Sequence, residues 1–184
     1  MPQISKFVLM IYPVGFQGKI WQTVLRSQNM AVIWESADVN LVKSLQQLQQ
    51  NALPLPDLIL IDTRLQSLKP YGICRWCQTH CPTLKIVLVN GAQYEILASE
   101  RQWAVCQGAA DLLPRFAVEN LISHTANSTG KILELMDLPT LNHGSLVTAL
   151  LKLRKSPQSK AVIAFPGTKL ASIPLKIAAK NRIN

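Results

Sequence analysis

The chain has 184 residues, of which 48% are hydrophobic and 16% charged, and a formal net charge of +9. That much apolar side chain can bury a core, which excludes global disorder, and no apolar run approaches the roughly 18 residues that a bilayer span needs. The charge is uneven: residues 1–125 hold 10 Lys/Arg and 8 Asp/Glu, residues 126–184 hold 9 and 2, and Leu151 to Asn184 carries eight basic residues and no acidic one.

In chain order, "KFVLMIY" (6–12) is a continuous apolar run, the pattern of a strand buried on both faces. Pro13 interrupts it and no small-residue cleavage site follows, so it does not read as a signal peptide, and the expected location is cytoplasmic. "GFQGKIWQTVLRSQN" (15–29) spaces Ile20, Val24 and Leu25 as a helix face, and "MAVIWES" (30–36) is a second strand. Asp38 or Asn40 caps a helix "LVKSLQQLQQ" with Leu41, Leu45 and Leu48 on one stripe. "DLILID" (57–62) is a third buried strand, and "YGICRWCQTHC" (71–81) a helix ended by Pro82. "KIVLVNG" (85–91) is a fourth strand, "EILASERQWAVCQG" (95–108) a helix closed by Gly108, and "ADLL" (110–113) a fifth strand. "AVENLISHT" (117–125) begins a fifth helix, and "NSTG" (127–130) reads as a turn or loop. "HGSLVTALLKLRK" (143–155) is an amphipathic helix candidate capped by Ser145, and "AVIAFPG" (161–167) a strand candidate.

Strand and helix alternate five times, which predicts an α/β fold with a doubly wound five-stranded parallel sheet, because each parallel crossover needs an intervening helix. In such sheets the functional crevice lies beyond the carboxyl ends of the strands, where Asp62 closes the third. The predicted division is a domain over 1–125 and a basic, partly helical C-terminal extension over 126–184. Cys74, Cys77 and Cys81, with His80, have some look of a ligand set, but on a helix they form one apolar stripe; core packing is favoured over redox-sensitive thiols or a metal. His124 and His143 read as helix-end or surface residues, and Trp21, Trp34, Trp76 and Trp103 as core or rim. No nucleophile triad or phosphate-cradling loop is legible.

From about Phe7 to His124 the chain resembles the receiver domain of two-component response regulators. "PDLILID" is similar to the family's phosphoacceptor strand, "ICRWCQ" to the start of its third helix, and "QGAADLLPRF" to its fifth-strand signature. The resemblance implies a pocket in which an acidic pair helps to hold Mg²⁺, a carboxylate accepts a phosphoryl group, a hydroxyl and a Lys bind it, and an aromatic residue switches rotamer. Here Asp62 falls at the acceptor, Tyr12 and Pro13 at the acidic pair, Asn90 at the hydroxyl, Arg115 at the Lys and Leu112 at the aromatic switch. Without the acidic pair the incoming oxygens would meet Asp62 with little charge compensation, so Asp62 is expected to be a structural carboxylate paired with Arg115.

That pattern resembles the degenerate members called pseudo-receivers. It implies a non-enzymatic signalling or adaptor protein that acts by protein–protein interaction independently of aspartyl phosphorylation, with no cofactor and no metal. One alternative is an atypical response regulator phosphorylated on Asp62. Another is nucleic-acid binding through the basic extension, whose charges are Lys152, Arg154, Lys155, Lys160, Lys169, Lys176, Lys180 and Arg182. Those eight are also the expected partner-binding residues, since the extension's apolar content (Val162, Ile163, Phe165 and Leu170 among others) argues for burial against the body or a protein partner. The sequence does not give the oligomeric state.

Overall fold

The structure is a computed structural model and describes residues 6–155. It holds five strands: β1 (Phe7–Ile11), β2 (Ala31–Glu35), β3 (Leu58–Asp62), β4 (Lys85–Asn90) and β5 (Asp111–Pro114). Among the described residues the helices are α1 (Phe16–Ser27), α2 (Leu41–Gln50), α3 (Pro70–His80), α4 (Ala98–Cys106), α5 (Leu121–Leu135) and α6 (His143–Lys155). The strands form one parallel sheet in the order β2-β1-β3-β4-β5. The predicted doubly wound sheet is therefore the observed one. No helix among the described residues is long and apolar enough to cross a membrane.

The apolar runs explain the order. All five residues of β3 are buried, as a central strand covered on both faces must be. The edge strand β2 alternates exposed and buried residues, and the other edge strand, β5, can end on Pro114, which has no amide to give a ladder. On one face α1, α5 and α6 bury Val8, Met10, Leu58 and Leu60 beneath Trp21, whose ring packs 4.4 Å from that of Phe116. On the other, α2, α3 and α4 cover Ile59, Ile61, Ile86 and Leu88. The helix termini follow the sequence at two positions: the Asn40 side chain accepts from the Lys43 amide to cap α2, and Gly108 takes φ 95° just beyond α4, where a Cβ would meet the Cys74 carbonyl oxygen at 2.9 Å.

Three local expectations are corrected. "NSTG" is not a loop: it lies inside α5, where Ser128 and Thr129 are buried, so tertiary packing overrides the turn composition. The residue that caps α6 is Asn142, whose Oδ1 accepts from the Ser145 amide. The fourth helix starts at Ala98 rather than at residue 95, its Leu97 amide bonded to the Glu100 carboxylate. The division drawn after residue 125 falls inside α5, and Ile132, Leu133, Leu146 and Leu150 belong to the same buried cluster as β1 and β3.

Candidate functional site: the crevice over Asp62

Asp62 ends β3 at the carboxyl edge of the sheet and is fully buried. Its carboxylate is saturated from within its own loop. Oδ1 accepts from the Arg64 backbone amide at 2.8 Å, a tight local turn of the kind aspartate favours. The same turn brings the Arg64 side chain back over the carboxylate: Nε lies 3.0 Å from both oxygens, and Nη2 donates to Oδ2 at 2.6 Å. Guanidinium and carboxylate meet in the planar fork geometry that makes such pairs strong and directional.

This pair corrects the expected Asp62–Arg115 partnership. Arg115 instead stacks on the Tyr94 ring, 4.6 Å from its centroid, and its Nε is buried without a hydrogen bond. The reason is local. Arg64 is already tied to Asp62 through its backbone, whereas the Arg115 amide bonds to the Gln93 carbonyl and its side chain lies on an aromatic face.

The room for Arg64 is made by Gly91, the first residue after β4. A Cβ there would lie 2.3 Å from Arg64 Nε and 2.4 Å from Asp62 Oδ2. A methyl group at this position and the guanidinium cannot both be present without a shift. Neither Arg64 nor Gly91 is picked out by the sequence patterns above. The available signal is the spacing Asp-x-Arg, which allows the carboxylate to bond the amide two residues on and so steer that residue's side chain.

The remaining expected pocket residues sit around this pair without supplying a second carboxylate. Tyr12 is buried beside Asp62 and Arg64. Burial first, then the Asp62 charge, holds its hydroxyl far above the ordinary phenol range, so it stays protonated, and it makes no well-formed hydrogen bond. Pro13 follows it in a loop held by Trp34, whose Nε1 donates to the Tyr12 carbonyl at 2.8 Å while the indole lies against Gly18. Asn90 is turned to its own loop: Oδ1 accepts from the Ala92 amide and Nδ2 donates to Gln93 Oε1. Leu112 is buried with Ile59, Ile61 and Leu88 in the core on the α2–α3–α4 side. Glu35 and Asp38, the nearest acidic candidates in sequence, are not buried against the pair: Glu35 is exposed and Asp38 lies in the loop after β2. Among the described residues no group of three His, Cys, Asp or Glu side chains is placed to hold a metal ion.

The cysteine stripe is core. Cys74, Cys77 and Cys81 are buried free thiols beneath the sheet, and burial pushes Cys74 and Cys77 up to about 12, so both are neutral at physiological pH. Cys106 is exposed. Of the basic residues expected to bind a partner, Lys152, Arg154 and Lys155 are exposed in the last turn of α6, where cations complement the helix dipole. Lys160, Lys169, Lys176, Lys180 and Arg182, and the strand expected over 161–167, lie outside the described residues.

No protein-family model and no curated protein matches the chain. Solved structures do. A signal receiver domain from Vibrio parahaemolyticus has TM-score 0.48 at 16% identity, covering 83% of this chain and 99% of that one. A response regulator in red light signaling of R. palustris superposes with TM-score 0.52 at 13% identity, covering 71% of this chain and 92% of that one. The second likeness and the strand order 2-1-3-4-5 together establish the architecture: the chain has the fold of a response regulator receiver domain.

Proposed function

We propose that this chain is a pseudo-receiver: a non-enzymatic signalling or adaptor protein that works through protein contacts and not through phosphorylation of Asp62. The observation that carries this reading is the Arg64 guanidinium seated on both oxygens of Asp62 in the space left by Gly91. Phosphoryl transfer needs an accessible carboxylate oxygen and cations that neutralise the transferring group. Here both oxygens accept hydrogen bonds already, and Tyr12 and Pro13 stand where metal-binding carboxylates would be needed. A scaffold retained around a pocket filled by its own side chain supports a role in binding, in which the receiver surface or the basic extension meets a protein partner in the cytoplasm.

The test is exposure of the full chain to acetyl phosphate and Mg²⁺, followed by intact mass spectrometry. The expected spectrum is that of the unmodified chain, for the wild type and for Arg64→Ala alike, since removing the guanidinium restores access without restoring metal ligands. A stable gain of one phosphoryl group that disappears in Asp62→Asn would refute the proposal.

A further inference from the structure

We infer that the crevice over Asp62 binds a carboxylate reversibly, between the outer edges of Arg64 and Arg115, supplied by a partner's acidic side chain or by a small organic acid. The inference rests on the reading above in one respect, that Asp62 keeps its own arginine. Charge is the first ground. Among the described residues the ion pairs join Lys6 to Asp57, Arg64 to Asp62, Lys85 to Asp137 and Arg101 to Asp111, so Arg115 stands just past β5, at the carboxyl edge of the sheet, without an acid. Glu95 is exposed and pairs with neither arginine of the crevice. The Arg115 guanidinium lies over the Tyr94 ring, and a stacked guanidinium keeps its donors in its own plane, directed outward at the edge.

Position is the second. Strands β3 and β5 flank β4. Arg115 follows Pro114, the register partner of Asn90, and Arg64 lies against Gly91, the residue after Asn90. The two guanidiniums thus approach one short segment from its two sides. They also act on one group: burial and the Asp62 charge raise the Tyr12 hydroxyl, and Arg64 and Arg115 both pull it back. Arg64 spends Nε and Nη2 on Asp62, Nη1 takes no part in those bonds, and the side chain is 44% exposed. Two guanidiniums over one carboxylate leave one positive charge. A second carboxylate matches it and accepts the parallel bonds that a guanidinium edge offers, whereas a phosphate dianion exceeds it and is repelled by Asp62.

The experiment follows the arginine Nε–Hε resonances of the ¹⁵N-labelled full chain while sodium acetate replaces sodium chloride at constant ionic strength. The Arg64 and Arg115 resonances, assigned through Arg64→Lys and Arg115→Lys, are expected to shift together and to saturate. Arg115→Gln should raise the half-saturating acetate concentration about tenfold, the loss of one charge-assisted pair. Arg115 makes no ion pair among the described residues, and an unchanged circular dichroism spectrum shows that this variant keeps the fold. A blocked leucyl-aspartyl-leucine peptide that binds at least as tightly as acetate assigns the carboxylate to a partner's side chain, and weaker binding assigns it to a small acid. Acetate transfers no phosphoryl group, so a mass gain with acetyl phosphate would overturn the pseudo-receiver reading, and resonances unmoved by acetate would overturn the carboxylate site. The site is equally overturned by a shift of one arginine without the other, by an Arg115→Gln titration like that of the wild type, or by inorganic phosphate binding more tightly than acetate.

Discussion

Strand β3 is bracketed by two aspartates that use the same device and reach different ends. At its entry, Asp57 accepts from Lys6 Nζ at 3.0 Å and from the Phe7 amide at 2.8 Å, and it remains 35% exposed. At its exit, Asp62 likewise takes one backbone amide and one cationic side chain, but it is fully buried and its cation fills a space prepared by Gly91. The first arrangement is a clasp between neighbouring strands, and water can replace either partner. In the second the cation cannot leave without stranding the carboxylate, because a buried carboxylate without compensation costs several times what an exposed pair contributes. The crevice end of this sheet is thus closed by an internal ion pair.

The largest expected effect tests that asymmetry. Arg64→Ala leaves Asp62 buried and short of its cation, and should cost about 3 kcal/mol in urea unfolding, trimmed toward about 2 by solvent reaching a side chain that is 44% exposed in the wild type. Arg64→Lys keeps the charge but loses the fork and should cost about 1 kcal/mol. In the double variant Asp62→Leu/Arg64→Leu most of the loss should return, since no ion remains to be stranded. Lys6→Ala is the comparison at the other end. If it destabilises as much as Arg64→Ala, the two ends of the strand are equivalent and burial makes no difference between them.

Gly91→Ala is the next largest. Its Cβ would fall within 2.4 Å of both members of the pair, so Arg64 must swing out, at about 2 kcal/mol. The same substitution made in Arg64→Ala should cost less, because one of the two obstructing groups is gone; the difference is the coupling between the two residues. Equal costs in both backgrounds would mean that Gly91 serves the backbone rather than the guanidinium.

How much of this is legible in the sequence follows from the range of each interaction. Uninterrupted apolar runs such as "LILID" mark strands because a two-faced burial leaves no polar alternation, and all five strands stand within a residue or two of where those runs predict them. "NSTG" has the composition of a loop, yet Ser128 and Thr129 are buried by packing between α5 and its neighbours, and composition alone does not carry that information. Asp62 is placed at the right edge by the strand that delivers it. Its partner is not, because Arg64 and Arg115 are chemically equivalent in a sequence, and the choice depends on a turn geometry and on a missing methyl group at Gly91, which follows a different strand.

A neutral buried group beneath the same strand sharpens the contrast with the buried ion. Burial holds the Cys74 and Cys77 thiols at about 12, above the ordinary value near 9 that they regain on unfolding. A folded pKa raised above the unfolded one gives stability that is full below pH 9 and declines as the pH rises from there toward 12. Between pH 8 and pH 10 the loss should be about 1 kcal/mol per thiol, and Cys77→Ala should remove its share, about half of the total, while lowering stability at pH 7 by the cost of a small cavity. An alkaline loss unchanged in that variant would assign it to other groups.

The smallest expected effect belongs to the open end. Burial raises the Asp57 carboxyl, but the Phe7 amide and Lys6 outweigh it and hold the group below the usual carboxylate range. A depressed folded pKa gives stability that is present above about pH 4 and is lost as the pH falls through the folded value. Asp57→Asn should therefore cost under about 1 kcal/mol at pH 7, as a solvent-screened pair does, and the gap between variant and wild type should be narrower at a pH well below the ordinary carboxylate range. Urea midpoints at the two pH values measure it. A gap at pH 7 as wide as that of Arg64→Ala would bind Asp57 to its cation as firmly as Asp62 is bound, and burial would no longer explain why one aspartate is a clasp and the other a filled site.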